Sequence, residues 1–453
     1  MRELCDHKNK MLSYLLSIYK MQQFNSLSSS HTESYYAATA NTTAVRNRLE
    51  SDIEADVCVV GAGFSGLSSA LHLVELGYKV VLVESLRVGW GASGRNGGQI
   101  VNGFSRDLIE IESRYGADAA KAIGEMSLTG GDIIRQRIEK YNIKCDLESG
   151  NVFAAFTPKQ MKGLDAMRGN WQKHGHDQLE MLDADQIQDH INTDRYIGGL
   201  LDRKGGHLHP LNLCQGEAAA FESLGGTIFE QSSVTGIQPF NDRQVVKTAH
   251  GSVTANKVVL CGNAYLGEVV PEIANKIMPV STQIITTEVL GEELCQRLMP
   301  GQTCVEDTNY MLDYYRMTAD HRLLFGGGST YGGAEPSSII NKLRPHLEKT
   351  FPELKGIGID FAWSGNFALT MTRIPHFGQI GENVFFIHGY SGHGVTATHL
   401  AGKLIAQAIE GQPEQFNHFS DLPFYPLPGG RLFRVPLSVI GSWWYIARDK
   451  LGI

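Results

Sequence analysis

Residues 55–85 contain two short, continuous hydrophobic runs that are separated by an amphipathic stretch. Continuous apolar runs are typical of parallel strands that are covered by helices on both faces. The stretch between them begins at a glycine-rich turn and has the hydrophobic spacing of a helix. This segment therefore predicts a strand, a turn, a helix and a second buried strand.

Further along the chain, helix and strand patterns alternate again, whereas residues 276–355 contain runs that are typical of antiparallel strands. The polar first 50 residues predict an extended arm. We predict an α/β fold with two domains, divided into an N-terminal arm at 1–50, a domain around a parallel sheet at 51–145, 208–275 and 356–420, an α+β domain with an antiparallel sheet at 146–207 and 276–355, and a C-terminal tail at 421–453.

Composition excludes several classes of protein. The 453 residues include 40 Lys and Arg against 48 Asp and Glu, and the formal charge of −8 argues against nucleic-acid binding. No stretch reaches the roughly 18 apolar residues of a transmembrane span. The apolar run at 11–19 has no cleavage site after it, so we expect no export signal. Seven cysteines without CxxC spacing favour buried thiols, a cytoplasmic location and no metal site.

A glycine motif, Gly61-x-Gly63-x-x-Gly66, lies between the first predicted strand and helix. Gly61 permits the tight turn, Gly63 lets backbone amides approach a pyrophosphate, and Gly66 allows the strand and helix to pack closely. Phe64 and Ser65 lie at the helix N-terminus, where free N–H groups and the helix dipole favour anionic charge. The motif predicts a Rossmann-like dinucleotide site.

The second predicted strand leads into Glu84 and Ser85, and Glu84 follows Gly66 by 18 residues. A carboxylate at this place accepts hydrogen bonds from ribose hydroxyls, and an acid here disfavours NADP. The alternative is a glycine turn in an unrelated βαβ unit, with Glu84 solvated at a strand end. The combination of strand, turn, helix and acid favours the dinucleotide site.

Two further glycine-rich segments have the composition to hold other parts of the same ligand. Residues 89–99 interleave glycines with Arg95, Asn96 and Gln99, which suit phosphate and ring edges, although a flexible surface loop has a similar composition. Residues 389–394 follow a predicted strand and open a helix, whose dipole would stabilise a reduced flavin ring. His393 in this segment either donates to that ring or is a structural histidine.

In this order and at these separations, the three segments resemble the FAD-dependent D-amino-acid oxidase-like family of amine and amino-acid oxidoreductases. The segment GASGRNGGQIVNGFSRDL is similar to the family's flavin-wrapping loop, and Gly262-Asn263-Ala264 is similar to its third dinucleotide contact. The stretch VEDTNYMLDYYRMTAD and the C-terminal tail most resemble the members that oxidise gamma-glutamylputrescine. The likeness covers roughly residues 33–453.

The resemblance implies a glutathione-reductase-like domain with noncovalent FAD, and oxidative deamination of a primary amine in putrescine catabolism. From gamma-glutamylputrescine, the products would be gamma-glutamyl-aminobutyraldehyde, ammonia and, with dioxygen as acceptor, hydrogen peroxide. The implied cofactor-binding residues are Gly61, Gly63, Phe64, Ser65, Gly66, Glu84, Ser85, Gly91, Ala92, Ser93, Arg95, Asn96, Gly97, Gln99, Val234, Gly262, Asn263, Gly389, Ser391, Gly392, His393 and Gly394.

One position departs from the family pattern. Members often have an acid after the threonine that precedes the last strand, but here Arg373 follows Thr372. We expect Arg373 to serve a different partner. No cysteine lies in the third glycine segment or after Cys304, so covalent attachment of the flavin there is not expected.

The predicted catalytic residues are Tyr315, Arg316, Trp363 and His393. An arginine can clamp a substrate carboxylate with two hydrogen bonds, and Tyr315 or Trp363 can frame the reacting amine. Alternation along a strand places Tyr314 and Arg316 on one face and Tyr315 on the other. These residues therefore cannot all line one pocket.

Acidic residues are the second group of candidates for the substrate site. Glu306, Asp307 and Asp313 could counter the ammonium groups of a polyamine derivative. The alternative is structural: Arg316 pairs with Asp320 and the tyrosines fill the core. The aromatic segment at 435–447 is a poor membrane anchor and is expected to cover the active-site entrance or an oligomer contact.

Two other functions fit the same motifs. A related flavin enzyme would oxidise another amine or amino acid, such as glycine, sarcosine or a D-amino acid, and pass electrons to a quinone. A non-catalytic dinucleotide-binding protein would need only the fold. Flavin colour and its loss with substrate distinguish these possibilities.

Overall fold

The computed structural model describes residues 29–266, 269–331, 338–428 and 435–436. The run at 11–19 and nearly all of the aromatic segment at 435–447 lie outside these residues. The strands are β1 (Asp52–Val60), β2 (Val80–Val83), β3 (Gln99–Ile100), β4 (Glu148–Ala155), β5 (Leu179–Leu182), β6 (Gly198–His207), β7 (Thr227–Phe229), β8 (Gly236–Phe240), β9 (Arg243–Lys247), β10 (Ser252–Leu260), β11 (Met278–Thr287), β12 (Cys304–Asp307), β13 (Asp313–Met317), β14 (Leu323–Tyr331), β15 (Ile359–Leu369), β16 (His376–Ile380) and β17 (Val384–His388).

Helices connect and cover these strands. They are α1 (Tyr35–Ala38), α2 (Phe64–Glu75), α3 (Leu108–Tyr115), α4 (Ala117–Glu125), α5 (Thr129–Lys140), α6 (Pro158–Lys173), α7 (Pro210–Ser223), α8 (Pro271–Ala274), α9 (Glu292–Leu298), α10 (Ile339–Thr350), α11 (Gly394–Ile409) and α12 (Glu414–Ser420). Within the described residues, no helix combines the length and apolar character that a bilayer crossing requires.

The first sheet contains the predicted parallel unit. Strands β17, β10, β1, β2 and β7 lie side by side and run parallel, while β16 pairs with β17 in the antiparallel direction. Val57 and Val59 face one hydrophobic cluster, and Cys58 and Val60 face another. The continuous apolar run of β1 therefore reflects burial on both faces, as predicted.

Two helices begin at the same edge of this sheet. Helix α2 follows β1 and helix α11 follows β17, and both strands point in the same direction. Leu67 and Leu71 of α2 share a hydrophobic cluster with Leu400 and Leu404 of α11. The carboxyl edge of a parallel sheet is where such folds bind ligands, so both predicted glycine turns lie at that edge.

The second sheet has the strand order β15-β11-β14-β13-β12-β4-β6-β3, with β5 paired to β6. Its neighbours are antiparallel except for β12 and β4, which run parallel. The sequence pattern assigns β15 to the parallel-sheet domain, but β15 pairs with β11 over its whole length, from Met278↔Leu369 to Thr287↔Ile359. This difference arises because hydrophobic alternation predicts a strand without specifying its partner.

The N-terminal arm also differs from the expectation of an extended segment. Residues Tyr35–Ala38 form a short helix that the Ser34 side chain caps. Tyr36 is fully buried, and its ring lies edge-on to Trp363 at 5.3 Å and to His209 at 4.9 Å. The arm therefore contributes to the core of the second sheet.

Candidate active site

The first glycine turn is built by close backbone packing. The Gly61 N–H donates to the Val83 carbonyl at 2.8 Å, which ties the end of β1 to the end of β2. A Cβ on Gly66 would lie 1.8 Å from the Gly61 carbonyl oxygen, so no larger residue fits there. Gly63 is the N-cap of α2 and brings no side chain to cap the helix amides. The turn thus leaves helix N–H groups available to an anionic ligand.

Glu84 lies beside this turn with its carboxylate already anchored. One oxygen accepts the Ala62 N–H at 2.7 Å and the other accepts the Leu86 N–H at 2.9 Å. Burial raises the pKa of Glu84, and these backbone hydrogen bonds oppose the shift. Each carboxylate oxygen can accept a second hydrogen bond, so the residue retains the capacity to bind ribose hydroxyls.

The second glycine segment is held by its own hydrogen bonds, which is not the behaviour of a flexible surface loop. The Ser93 hydroxyl accepts the Phe64 N–H at 2.9 Å, which fastens the loop to the start of α2. The Asn96 side chain donates to the carbonyls of Ala92 and Ser93 and accepts the Gly98 N–H at 2.8 Å. These contacts preform the loop around the helix N-terminus.

Arg95 in this loop lies over an aromatic ring. Its guanidinium carbon is 4.1 Å from the centre of the Trp90 ring, and its Nε donates to the Trp90 carbonyl at 2.8 Å. The backbone carbonyl of Arg95 in turn accepts the Trp363 indole N–H at 2.9 Å. The role of Arg95 at a phosphate stays a prediction.

The same loop crosses one face of the second sheet. After Trp363 of β15 it passes Tyr314 of β13, since a Cβ on Gly97 would lie 2.7 Å from the Tyr314 ring. At β12, the Gln99 side chain donates to the Val305 carbonyl at 2.9 Å. The segment expected to wrap the flavin therefore lies between the two sheets.

The third glycine segment is fixed by side chains from elsewhere in the chain. The Gly389 N–H donates to the Asn263 side chain at 2.9 Å, and the Thr370 N–H donates to the Ser391 hydroxyl at 3.2 Å. Gly392 has φ +102°, a conformation that favours glycine. Tyr390, which the sequence analysis overlooked, shares a hydrogen bond with the Ser65 hydroxyl and so joins the first and third glycine turns.

His393 is the N-cap of α11, and no side chain caps this helix. Its ring is half-buried, and its Nδ1 is buried without a hydrogen-bond partner in the described part of the protein. Burial and, to a smaller extent, the charge of Arg373 lower the pKa of His393 to about 4. The imidazole is therefore neutral at pH 7 and has hydrogen-bonding capacity to offer.

The remaining predicted cofactor residues surround these turns. The Ser232 N–H donates to the Glu84 carbonyl at 2.8 Å, which places the segment of Val234 beside the end of β2. Val234 is half-buried against the cluster that contains Val83. The others border the glycine turns as expected, namely Ser85 after β2, Gly91 at the turn Ala92–Gly94, Gly262 before the turn Asn263–Tyr265 and Gly394 at the start of α11.

Tyr315 is not in the site that the sequence analysis proposed for it. It is fully buried in the hydrophobic core on the other face of the second sheet, stacked on Phe325 at 5.3 Å. Its hydroxyl donates to the Tyr196 hydroxyl at 3.0 Å. The prediction was wrong because strand alternation separates two faces without showing which one borders the ligand.

Arg316 lies on the face of the second sheet that borders the segment at 89–99, which we call the flavin loop. Its guanidinium is already hydrogen-bonded to other parts of the protein. It is 3% exposed, and it donates to the carbonyls of Gly97 at 2.8 Å and Leu208 at 3.0 Å, and to the Tyr36 hydroxyl at 3.1 Å. Asp320 instead pairs with Arg322 at 2.8 Å. Two predictions for Arg316, a clamp on the substrate carboxylate and an ion pair with Asp320, are therefore replaced. Arg316 instead fastens the flavin loop to the second sheet.

Trp363 was predicted to contact the substrate, but its contacts in the structure are with the protein. It is 2% exposed, and its indole N–H is used by the Arg95 carbonyl. It belongs to a buried cluster with Tyr36 and Leu324. Among the four predicted catalytic residues, only His393 is half-buried beside a glycine turn.

The three candidate acids divide between the two faces of the second sheet. Glu306 pairs in register with Tyr314 and so shares its face with the flavin loop. Asp313 lies on the other face, where it binds Arg195 at 2.9 Å, and Arg195 also lies 3.7 Å from Asp307. Only Glu306 is positioned toward the loop.

Two helix N-termini whose N-cap residues make no capping hydrogen bond lie at one sheet edge, and the preformed loop between them completes a site that fits one extended dinucleotide. An acid at the end of the second parallel strand adds the expected ribose partner. This arrangement defines the class of flavin-binding oxidoreductases with a Rossmann-like domain. Residues 56–408 match the family described as DAO, FAD dependent oxidoreductase, so the chain belongs to that family and is an FAD-dependent oxidoreductase.

Individual relatives agree with this assignment. The chain is 53% identical to gamma-glutamylputrescine oxidoreductase of Escherichia coli, over 93% of this chain and 99% of the relative. It is 41% identical to the probable oxidoreductase OrdL of Haemophilus influenzae, over 93% and 98%. Glycine oxidase of Geobacillus kaustophilus shares the fold, with a TM-score of 0.66 at 21% identity over 79% of this chain and 95% of that structure.

Proposed function

We propose that this protein oxidises the primary amine of gamma-glutamylputrescine. The overall reaction converts gamma-glutamylputrescine, dioxygen and water into gamma-glutamyl-aminobutyraldehyde, ammonia and hydrogen peroxide. The observation that carries this proposal is the 53% identity to the E. coli gamma-glutamylputrescine oxidoreductase over nearly the full length of both chains. The buried, free cysteines among the described residues support a reducing, cytoplasmic location.

The cofactor is held by the three glycine segments. The start of α2 would bind the pyrophosphate, Glu84 would bind the ribose, and the loop at 89–99 would hold the flavin together with the start of α11. In this division, the first sheet holds the cofactor, and the second sheet, to which β15 also belongs, carries the substrate. When bound, FAD supplies the two-electron acceptor for the hydride on the amine-bearing carbon.

Glu306 is the side chain that receives the reacting amine. It is 8% exposed, its backbone pairs in the sheet, and its side chain forms no hydrogen bond or ion pair within the described residues. Burial and, to a smaller extent, the charge of Asp307 raise the pKa of Glu306 to about 7. A carboxylate with this pKa can bind the substrate ammonium and then accept its proton, which leaves the neutral amine that is able to react.

His393 supports the other side of the reaction. Its neutral ring and its unpartnered Nδ1 lie at the N-terminus of α11. The helix dipole and a hydrogen bond donated by the ring would together stabilise negative charge at this place. Both residues are shielded from solvent, which strengthens such electrostatic contacts.

The test is an amine panel followed by anaerobic bleaching of the flavin absorbance. Gamma-glutamylputrescine should bleach the yellow protein fastest, ahead of putrescine, glycine, sarcosine and D-alanine, and admission of air should yield hydrogen peroxide. Bleaching without peroxide would favour a quinone or another acceptor over dioxygen. A protein bleached equally well by putrescine, or better by an amino acid, would contradict the proposed substrate.

A further inference from the structure

The turn between β15 and β16 lies directly against the third glycine segment. A Cβ on Gly389 would lie 2.2 Å from the Thr370 methyl group, and the Ser391 N–H donates to the Ala368 carbonyl at 3.0 Å. The Thr370 N–H donates in return to the Ser391 hydroxyl. Residues 370–374 are therefore placed by the segment that holds His393.

Arg373 occupies this turn with a backbone conformation that side chains avoid. Its φ is +58°, and it is the only arginine or lysine with positive φ in the described part of the chain. Such a conformation costs roughly 1 kcal/mol or more for a non-glycine residue and tends to persist where the side chain has a function. Glycine would adopt this φ at a lower energetic cost. The presence of an arginine at this position therefore points to a role for its guanidinium.

The guanidinium of Arg373 has two tyrosine partners, Tyr310 and Tyr331, and no acidic one. Its Nη2 donates to the Tyr310 hydroxyl at 2.7 Å, and its carbon lies 5.4 Å from the Tyr310 ring centre. Arg373 is half-buried and forms no salt bridge within the described residues. Most of its five N–H donors remain available for an anion.

Resting on the proposed function, we infer that Arg373 binds the α-carboxylate of the gamma-glutamyl group, with Tyr310 as the positioning residue. The planar guanidinium suits a carboxylate because it donates two parallel hydrogen bonds. Glu306 meets the ammonium end of the same substrate, so the site carries opposite charges for the two charged ends. Putrescine has no carboxylate, and Arg373 therefore selects against it.

The experiment compares Arg373→Gly with the unsubstituted protein on two substrates. One is gamma-glutamylputrescine and the other is 4-amino-N-(4-aminobutyl)butanamide, which lacks only the α-carboxylate. We expect kcat/KM for gamma-glutamylputrescine to fall about 30- to 100-fold, mainly through KM, as for the loss of a charged hydrogen bond. For the analogue, kcat/KM should change less than about twofold.

The same experiment includes controls for the folding and flavin content of each variant. Arg373→Gly relieves the positive φ, so its melting temperature and its bound-flavin absorbance should equal or exceed those of the parent. Arg297→Gln removes an exposed arginine whose partner is Glu353, and it should leave kcat/KM for both substrates unaffected. Tyr310→Phe should raise KM for gamma-glutamylputrescine about threefold to tenfold with kcat unchanged.

Two outcomes would overturn the inference. Equal losses on both substrates, or unchanged selectivity in a flavin-loaded Arg373→Gly protein, would show that Arg373 does not recognise the carboxylate. A parent protein that oxidises neither compound would instead overturn the proposed function, and the inference with it.

Discussion

The two faces of the hairpin β12–β13 differ in every respect that matters for function. On one face, Glu306 and Tyr314 border the flavin loop, and the Glu306 side chain forms no salt bridge among the described residues. On the other, Tyr315 and Asp313 are enclosed by packing and by Arg195. The side of the sheet that a residue occupies thus decides whether it borders the flavin loop or packs in the core.

The largest expected effect tests the stability face. Tyr315→Ala should lower the free energy of unfolding by about 3–5 kcal/mol, because it removes a fully buried ring stacked on Phe325. Urea unfolding monitored by fluorescence measures this change. The protein that remains folded should keep kcat/KM within about threefold. A large kinetic loss at unchanged stability would mean that Tyr315 has the catalytic role first predicted for it.

The next effect tests the catalytic face. Glu306→Gln should reduce kcat/KM for gamma-glutamylputrescine about 100-fold, since the amide accepts no proton from the substrate ammonium. Stability and flavin content should be retained, because the change removes a buried charge without a partner. Asp307→Asn, one residue away on the other face, is the matched control and should alter kcat/KM less than about threefold. Equal kinetic losses in both variants would remove the distinction between the faces.

The pH dependence provides a third test. The Glu306 carboxyl has a pKa of about 7, so the ionised form that binds and deprotonates the ammonium is present above that pH. Between pH 6 and pH 8, kcat/KM should therefore rise by up to about tenfold. Steady-state assays across this range should show the rise in the parent and a flat profile in Glu306→Gln. A rise that persists in the variant would assign the titration to another group.

The smallest effect concerns Asp307. Burial and the neighbouring Asp313 raise the pKa of Asp307 to about 7. A raised carboxyl pKa destabilises the folded protein above the unfolded-state pKa near 4, and this cost grows as the pH rises to 7. Asp307→Asn should therefore raise the melting temperature by roughly 1–3 °C at pH 8 and change it little at pH 4. An increase at pH 4 as large as that at pH 8 would contradict this assignment.

Local motifs made much of the cofactor region predictable. Gly61, Gly63 and Gly66 follow a strand and open a helix, and backbone geometry within a few residues determines that turn. The parallel direction of β1, β2, β10 and β17 followed from their continuous apolar runs. These features depend on neighbours in sequence, so sequence patterns report them.

The substrate region was less predictable because its contacts join distant segments. Arg316 finds its partners at Gly97, Leu208 and Tyr36, more than 100 residues away in each case. Strand β15 pairs with β11 across some 80 residues, contrary to its predicted domain. The departure of Arg373 from the family pattern was the sequence signal at this turn, and its φ of +58° became visible only in the structure.

Sequence alone determined the glycine turns, the parallel unit and the family, because short-range sterics and hydrophobic periodicity leave a direct trace in residue order. It also separated Tyr314 and Arg316 from Tyr315 by strand alternation. Tertiary structure decided which of these faces meets the flavin loop and which side chains are already hydrogen-bonded. Burial and hydrogen-bond partners are determined only when remote segments pack together. In this packing Arg316 is bound to the protein, whereas the side chains of Glu306 and Arg373 keep capacity to bind a ligand.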